Sequence, residues 1–478
     1  MTENNLNDLN KTNRLIPFKI KVGYAMGGTG DAIAYDFIGS FLLFFLTDLA
    51  GLSPALAGTI ISLAVLWDAI TDPVIGMLSD RSKSKYGKKR PFLLFSAIPM
   101  ALVMIGLFHV VAFEGSAKFV YYLIFACLFW TAYTCFNIPY FSLGGCLTSN
   151  TDERTRIRSV AQVFNFIGVF FASAVPTFLV GMFQKAGFSE VDSWQYAVII
   201  IGTIAAIVIM ISWNATRGYE LDIEETTDSS HDNIFKEVKE VLCLRPYLNV
   251  ILSQLLFYAC YTISSSAIIY FTENNLGMGE TEASLIYTGV TIGGIIVSIL
   301  LGPIAVKFDK RTAYIACMFI GGIIMVIGKF IPIESLFVAI LFAAVINIGS
   351  AGHWTLSYTL LYDIYEIDEF KNGKRREGFL MAFFSFCGKL GGAAAGSITG
   401  WILQFAHYDA TAATQTPEAL AAIKSLFTFW PGLFCLAAGF VILLYPVTRP
   451  RFELLLKNLE LKRQGKEYST EGFEKLIR

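Results

Sequence analysis

The chain has 478 residues, 55% of them hydrophobic, with 41 Phe, a mean hydropathy of +0.57 and a net charge of −1. A soluble domain rarely carries that much apolar residue outside its core; the net charge says nothing about nucleic acid, and the charges cluster in loops rather than in a basic face. The eight cysteines are scattered, mostly in apolar runs, without CxxC or Cys/His spacing, which reads as small buried hydrophobes and not as a disulfide or metal framework.

Met1 to Arg14 is polar and Asn-rich and lacks the apolar stretch of a signal peptide, so this end is expected to stay in the cytoplasm. Twelve apolar runs of membrane-crossing length follow, at 20–48, 54–79, 91–112, 119–146, 157–184, 194–214, 247–272, 281–306, 312–331, 335–362, 377–405 and 425–447. The expected organisation is an all-α membrane protein. A cytoplasmic N-terminus (1–19) leads to a six-helix bundle (20–214), a cytoplasmic linker (215–246), a second six-helix bundle (247–447) and a cytoplasmic tail (448–478). The linker carries Glu224, Glu225, Asp228, His231, Asp232, Lys236, Glu237, Lys239 and Glu240, with a short amphipathic helix in its second half. The tail is charged and expected to be partly helical.

Orientation follows from the basic loops. Arg81, Lys83, Lys85, Lys88, Lys89 and Arg90 follow span two, and Arg154, Arg156 and Arg158 follow span four. Lys307, Lys310 and Arg311 follow span eight, and Lys371, Lys374, Arg375 and Arg376 follow span ten. The stretches from Thr47 to Pro54 and from Thr272 to Glu280 hold no Lys or Arg. Both termini are therefore expected on the cytoplasmic side.

Span two carries Asp68 and Asp72, four residues apart and hence on one helical face. A carboxylate near mid-membrane costs at least a few kcal/mol unless it meets a cation, a proton or water. Two on one face repel each other, so the pair gains most from a mobile Na⁺ or H⁺. The plainer readings are two acids lining a watery crevice, or acids paired with lysines. The span ends in Gly76 and Ser79-Asp80-Arg81, followed by Gly87; the second half answers with Gly302 and Phe308-Asp309-Lys310-Arg311. This pattern resembles the loop signature of the major facilitator superfamily. Gating through Gly76, Asp80 and Arg81 is expected, against a bland reading of topology-fixing charge.

Span one has Gly23, Gly27, Gly28 and Gly30 for close packing, then Asp31 and Asp36, either of which could hydrogen-bond a polyol. Span four offers Thr134 and Asn137 as neutral oxygens beside Pro139, with aromatic residues that stack on a sugar or simply pack. Span ten carries Trp354 as a sugar platform, His353 as a packed, hydrogen-bonded residue, and Asp363 near its cytoplasmic end as a gating residue. Span eleven sets Gly388, Gly392, Gly396 and Gly400 at four-residue spacing, a close-packing stripe, with Lys389 beside it. A cation there needs an acid, an anionic substrate or water.

Trp67 to Pro73, the Gly76/Asp80/Gly87 loop with Arg90-Pro91, Asn137-Ile138-Pro139-Tyr140, Glu153-Arg154, and Tyr362-Asp363-Ile364 with Glu369 and Lys371 together resemble the glycoside–pentoside–hexuronide:cation symporters, from about Val22 to Tyr445. The resemblance implies twelve helices in two pseudo-symmetric bundles and a sugar moved with Na⁺, H⁺ or Li⁺. It implies a cation site of Asp68, Asp72, Thr71 and Thr134, with Thr71 where the family pattern has Asn. In the sugar site, Lys389 and Trp354 match the pattern, whereas Ala32 (beside Asp31), Asn137, Phe141 and Gln162 depart from it. The implied substrate set is thus Asp31, Asp36, Asn137, Phe141, Gln162, Trp354 and Lys389. The expected partners are a sugar or glycoside, the coupling cation and the bilayer, with no nucleic acid and no resident cofactor, for a functional monomer. A carrier for a lysolipid or other organic anion, and a membrane sensor on the same scaffold, are the competing readings. No nucleophile–base set points to an enzyme.

Overall fold

The structure, a computed structural model, describes residues 15–221, 234–278, 280–373, 375–408 and 414–477. The N-terminal segment before Leu15, the first half of the expected linker (with Glu224, Glu225, Asp228, His231 and Asp232) and Lys374 lie outside the described residues. Every long apolar run folds as a helix. In the first half these are α1 (Phe18–Phe44), α2 (Pro54–Asp80), α3 (Arg90–Leu107), α4 (Gly115–Cys146), α5 (Thr151–Lys185) and α6 (Glu190–Ala215). The short α7 (Ile234–Leu242) is the amphipathic linker helix. The second half has α8 (Arg245–Tyr270), α9 (Glu280–Phe308), α10 (Lys310–Gly328), α11 (Leu336–Asn372), α12 (Glu377–Phe405), and α13 (Pro417–Phe427) running into α14 (Phe429–Leu443). The tail forms α15 (Arg449–Arg463). Among the described residues there are 12 helical spans long and apolar enough to cross a membrane.

Helix starts are encoded locally. Ser53, Asn150, Ser189 and Ser335 each accept the backbone N–H of the third residue onward, satisfying a donor that the helix cannot. Gly373, at φ +69°, ends α11 in the left-handed conformation that glycine adopts without strain.

The chain divides into two units, Met1–Ile223 with Arg376–Phe383, and Glu224–Arg375 with Phe384–Arg478. Each repeats one pairing scheme. In the first, α1 packs on α6, α2 on α4, and α3 on both α4 and α6; in the second, α8 packs on α14, α9 on α11, and α10 on both α11 and α14. The leading helix of each also ends alike, in a π turn, Phe45–Leu49 and Phe271–Asn275, followed by a left-handed Gly51 and Gly277. These are two pseudo-symmetric six-helix bundles.

Three sequence expectations need correction. Arg154, Arg156 and Arg158 are not in a loop: α5 begins at Thr151, and Arg154 and Arg158 are buried on it. Asp363 is not near a helix end, because α11 runs on to Asn372. Apolar counting sees only the lipid-depth part of a helix, and backbone hydrogen bonding carries it further into water. The glycine stripe of α12 is real only in part. Gly388 lies against Tyr258 and Gln254 and Gly392 against Thr262, but Gly396 and Gly400 face open space, while the off-stripe Gly391 meets the backbone of Leu255. Four-residue spacing rotates by about 40° per step on a 3.6-residue helix, so the stripe turns off its contact line.

Candidate functional site

In the first unit, α2 and α4 pack side by side and bring three oxygen-bearing side chains together. The Thr134 hydroxyl lies 2.6 Å from Asp68 Oδ1 and 3.1 Å from Asp72 Oδ1. All three residues are 1% exposed. A hydroxyl carries one proton and cannot fully serve two acceptors, so this triangle gathers two acids around a single hydrogen. Pro73 and Pro139 lie within α2 and α4 beside it, and each removes a backbone donor, releasing the carbonyls of Ala69 and Cys135 as further oxygens. Asp68, Asp72 and Thr134 are thus brought together as the sequence predicted. Thr71 is not: its hydroxyl donates back to the Asp68 carbonyl at 3.1 Å, along its own helix.

Asp31 forms a second cluster, between α1 and α4. Its Oδ1 accepts from Asn137 Nδ2 at 2.7 Å and from the Tyr133 hydroxyl at 3.0 Å, and Asn137 Nδ2 also donates to Tyr133 at 3.0 Å. Glycines let α1 approach: Gly28 leaves room for the Ala161 carbonyl, where a Cβ would stand at 3.0 Å. Asp36 is half-buried, and no described hydrogen bond joins it to Asp31. Phe141 sits apart, under the Arg158 guanidinium at 4.9 Å. Gln162 donates along α5 to Asn165 at 3.4 Å and not to Asp31.

Asp80 closes the first unit. Its carboxylate accepts from the buried Lys89 ammonium and from the backbone N–H groups of Gly378 (2.7 Å) and Phe379 (2.9 Å), the first turn of α12. A carboxylate at a helix N-terminus meets unpaired donors and the positive end of the dipole. Gly76 lets the two backbones meet, since a Cβ there would stand 2.5 Å from the Gly378 carbonyl. Burial presses Lys89 toward its neutral form, but the Asp80 and Glu377 carboxylates outweigh it and hold the ammonium above the ordinary lysine range. Arg81, the C-cap of α2, is exposed. Behind this, Glu220 accepts the N–H groups of Lys88 (2.9 Å) and Lys89 (2.7 Å), and burial pushes its carboxyl up from the usual glutamate range.

The second unit is built differently. A buried chain runs from Ser253 to Tyr314 (2.7 Å), to His353 Nδ1 (2.8 Å), and from His353 Nε2 to Gln254 Oε1 (2.7 Å). Tyr314 O–H donating to Nδ1 and Nε2–H donating to Gln254 Oε1 suit a neutral imidazole, while Ser253, whose hydroxyl also donates to the Ala438 carbonyl at 3.2 Å, shares its one proton between that carbonyl and Tyr314. His353 is thus the packed, hydrogen-bonded residue expected. Trp354, next to it, is half-buried and meets Tyr258 and Tyr261 edge-on at 5.4 and 5.9 Å. Lys389 is half-buried on α12, next to Gly388. Asp363 pairs with Lys310 at 2.5 Å, and Lys310 also donates to the Thr359 carbonyl, tying α10 to α11 within this unit.

Sequence reasoning missed Tyr133, Lys89, Gly378 and the Ser253–Tyr314–Gln254 chain. The signal for Tyr133 was its place beside Thr134, and that for Lys89 was the basic loop nine residues after Asp80; Gly378 and the Ser253–Tyr314–Gln254 chain had none, since their partners lie far off in sequence.

Residues 23–449 match the family described as MFS/sugar transport protein. The inner membrane symporter YicJ of Escherichia coli (strain K12) is 26% identical over 460 residues, covering 96% of this chain and 98% of YicJ. The isoprimeverose transporter of Lactiplantibacillus pentosus is 26% identical over 440 residues, covering 91% and 90%. Among solved structures, the E. coli fucose:proton symporter FucP, a major facilitator superfamily transporter, superposes with a TM-score of 0.62 at 13% identity, over 87% of this chain and 98% of that one, a likeness of fold. Twelve spans, two repeated bundles and a family match across nearly the whole length make this chain a multi-pass membrane transporter, a member of the MFS/sugar transport protein family.

Proposed function

We propose that the protein is a secondary active symporter that moves a sugar or glycoside together with Na⁺ or H⁺. The observation that carries this reading is the Asp68–Thr134–Asp72 triangle, buried between two helices long and apolar enough to cross a membrane. Two carboxylates so placed cost at least a few kcal/mol unless neutralised, so a reversible cation makes the loaded bundle far easier to rearrange than the empty one. The cation is a co-substrate held by Asp68, Asp72 and Thr134, with Thr71 supplying its oxygen only after turning from the Asp68 carbonyl. The candidate polyol groups of the first unit are Asp31 and Asn137, with Asp36, Phe141 and Gln162 in supporting positions; those of the second unit, taken by itself, are Trp354 and Lys389. Family membership and the names of the relatives, an inner membrane symporter and an isoprimeverose transporter, support the cargo class. Asp80, drawn onto the first turn of α12 through Gly76 and assisted by Arg81, is the gating latch, and Asp363 acts through its pairing with Lys310. Both termini face the cytoplasm and the monomer is the working unit.

The reading is tested by uptake into proteoliposomes, with Na⁺ and H⁺ gradients imposed separately. Asp72→Asn abolishes accumulation while leaving some substrate exchange; accumulation that survives overturns the cation site. A panel of glycosides, free pentoses, uronides and a lysolipid, scanned by melting temperature, sets the cargo, because a ligand of the folded state alone raises it by mass action. A lysolipid response without a sugar response moves the cargo to the lipid class.

A further inference from the structure

α3 begins without a cap of its own. Its N-cap residue, Lys89, makes no side-chain hydrogen bond to the helix, and a positive charge suits a helix end, not a helix start. The missing acceptor comes from far along the chain: Glu220 Oε1 takes the N–H of Lys88 at 2.9 Å and of Lys89 at 2.7 Å. The backbone is shaped to bring it there. After α6 ends, Gly218 takes a left-handed φ of +75°, and the Leu221 N–H donates to the Cys146 carbonyl at the end of α4 (2.8 Å). On the facing side Gly87, at φ +106°, lacks the Cβ that would overlap the Glu220 carboxylate. Lys89, whose backbone Glu220 holds, is buried and sends its ammonium to Ser79 Oγ at 3.2 Å and to Asp80. Asp80 in turn holds the N–H groups of Gly378 and Phe379. The turn after α6, the start of α3, the end of α2 and the first turn of α12 thus stand in series, all within the first unit.

Resting on the reading of Asp80 as the gating latch, we infer that Glu220 is the positioning residue of that latch and acts through Lys89. By capping α3 from outside, it fixes the Lys89 backbone and with it the place where the ammonium meets Asp80. The Asp80 carboxylate is then compensated in its buried setting and aimed at both α12 N–H groups. Without Glu220 the start of α3 loosens, the ammonium leaves its place, and Asp80 loses the partner that offsets its desolvation. The latch weakens although no residue of it has changed.

The test is hydrogen–deuterium exchange of the purified full chain in detergent, read on peptides covering 84–92 and 377–383. Glu220→Ala is expected to speed exchange about 10-fold in both, the size of one lost charge-assisted hydrogen bond. Glu220→Gln keeps the accepting oxygen and is expected to hold 377–383 within about threefold of the wild type. Faster exchange in 84–92 alone is what a role confined to α3 would give, and it overturns the inference. So does Glu220→Gln matching Glu220→Ala, since the held oxygen would then not be the agent. If Glu220→Ala fails to fold, Glu220→Asp, which withdraws the oxygen by one methylene and keeps the charge, is expected to speed exchange in 377–383; an unchanged rate there overturns the inference. Proteoliposome uptake of p-nitrophenyl β-D-xyloside, α-D-galactoside and β-D-glucuronide reads the gate separately. Glu220→Ala and Asp80→Ala are both expected to lower the maximal rate about 10-fold at unchanged half-saturation. Altered exchange with unaltered uptake in both variants overturns Asp80 as a gate, whereas unaltered exchange in 377–383 overturns Glu220 as its positioning residue.

Discussion

The two bundles repeat one pairing scheme but build different polar clusters, although the second also buries the Asp363–Lys310 ion pair. The first gathers carboxylates around hydroxyls: Asp68 and Asp72 on Thr134, and Asp31 on Tyr133. The second buries an uncharged chain, Ser253–Tyr314–His353–Gln254, with the Trp354 ring beside it. Satisfied neutral networks rigidify what they join. Carboxylate clusters in a low-dielectric setting respond to any charge that arrives. The first bundle thus carries the acid clusters that make it the responsive half, and the second the neutral chain that makes it the stiff half.

The largest effect is expected from breaking the responsive half. Asp72→Asn leaves one acid to hold the cation, and losing one partner of a buried ionic set costs ~3 kcal/mol, about 100-fold in cation affinity. Titration of Na⁺ and of protons against the melting temperature reads it; an unchanged affinity would place the cation elsewhere. Comparable in size, Asp80→Ala strands the Lys89 ammonium and the N–H groups of Gly378 and Phe379, at a cost of ~3 kcal/mol. The expected outcome is a lower melting temperature, with cation response intact.

Tyr314→Phe probes the stiff half. It removes one hydroxyl and leaves His353 Nδ1 without its donor, costing ~1–3 kcal/mol of stability. Cation affinity should not move; if it does, the two halves are not chemically separate. Trp354→Ala is expected to weaken sugar binding by ~1 kcal/mol, about fivefold, through the lost aromatic face, again with cation affinity unchanged.

The smallest effect is expected at Glu220. Its folded-state carboxyl titrates above the ordinary glutamate range because of burial, so the folded chain binds more protons there than the unfolded one. Stability therefore falls as pH rises through the window between the usual glutamate value and the raised one. Glu220→Gln should flatten that slope, which melting scans across acidic pH would show.

How much of this was legible depends on the range of the interaction. Twelve spans, the six-and-six division and the Asp68/Asp72 pair are local in origin, since hydropathy and a four-residue repeat act within one helix. The amphipathic linker helix and the N-caps are local too. What the sequence left open was register between helices. Thr71 and Thr134 were equal as ligands on paper. Packing of α2 on α4 puts Thr134 between the acids, while Thr71 turns back to its own backbone. Arg158 read as a loop charge because hydropathy ends where charge begins; the helix continues and buries it over Phe141.

By itself, then, the sequence determined the number of membrane helices, their grouping into two halves and the presence of an acid pair on one face. These follow from solvent preference and helical periodicity, properties of residues and their near neighbours. Only the tertiary structure decided which hydroxyl the acids share, that Asp80 caps α12 from nearly three hundred residues away, and that one turn of α4 serves two acid clusters. Those depend on the rotation and axial offset of one helix against another, which the close packing of side chains sets and no single helix encodes.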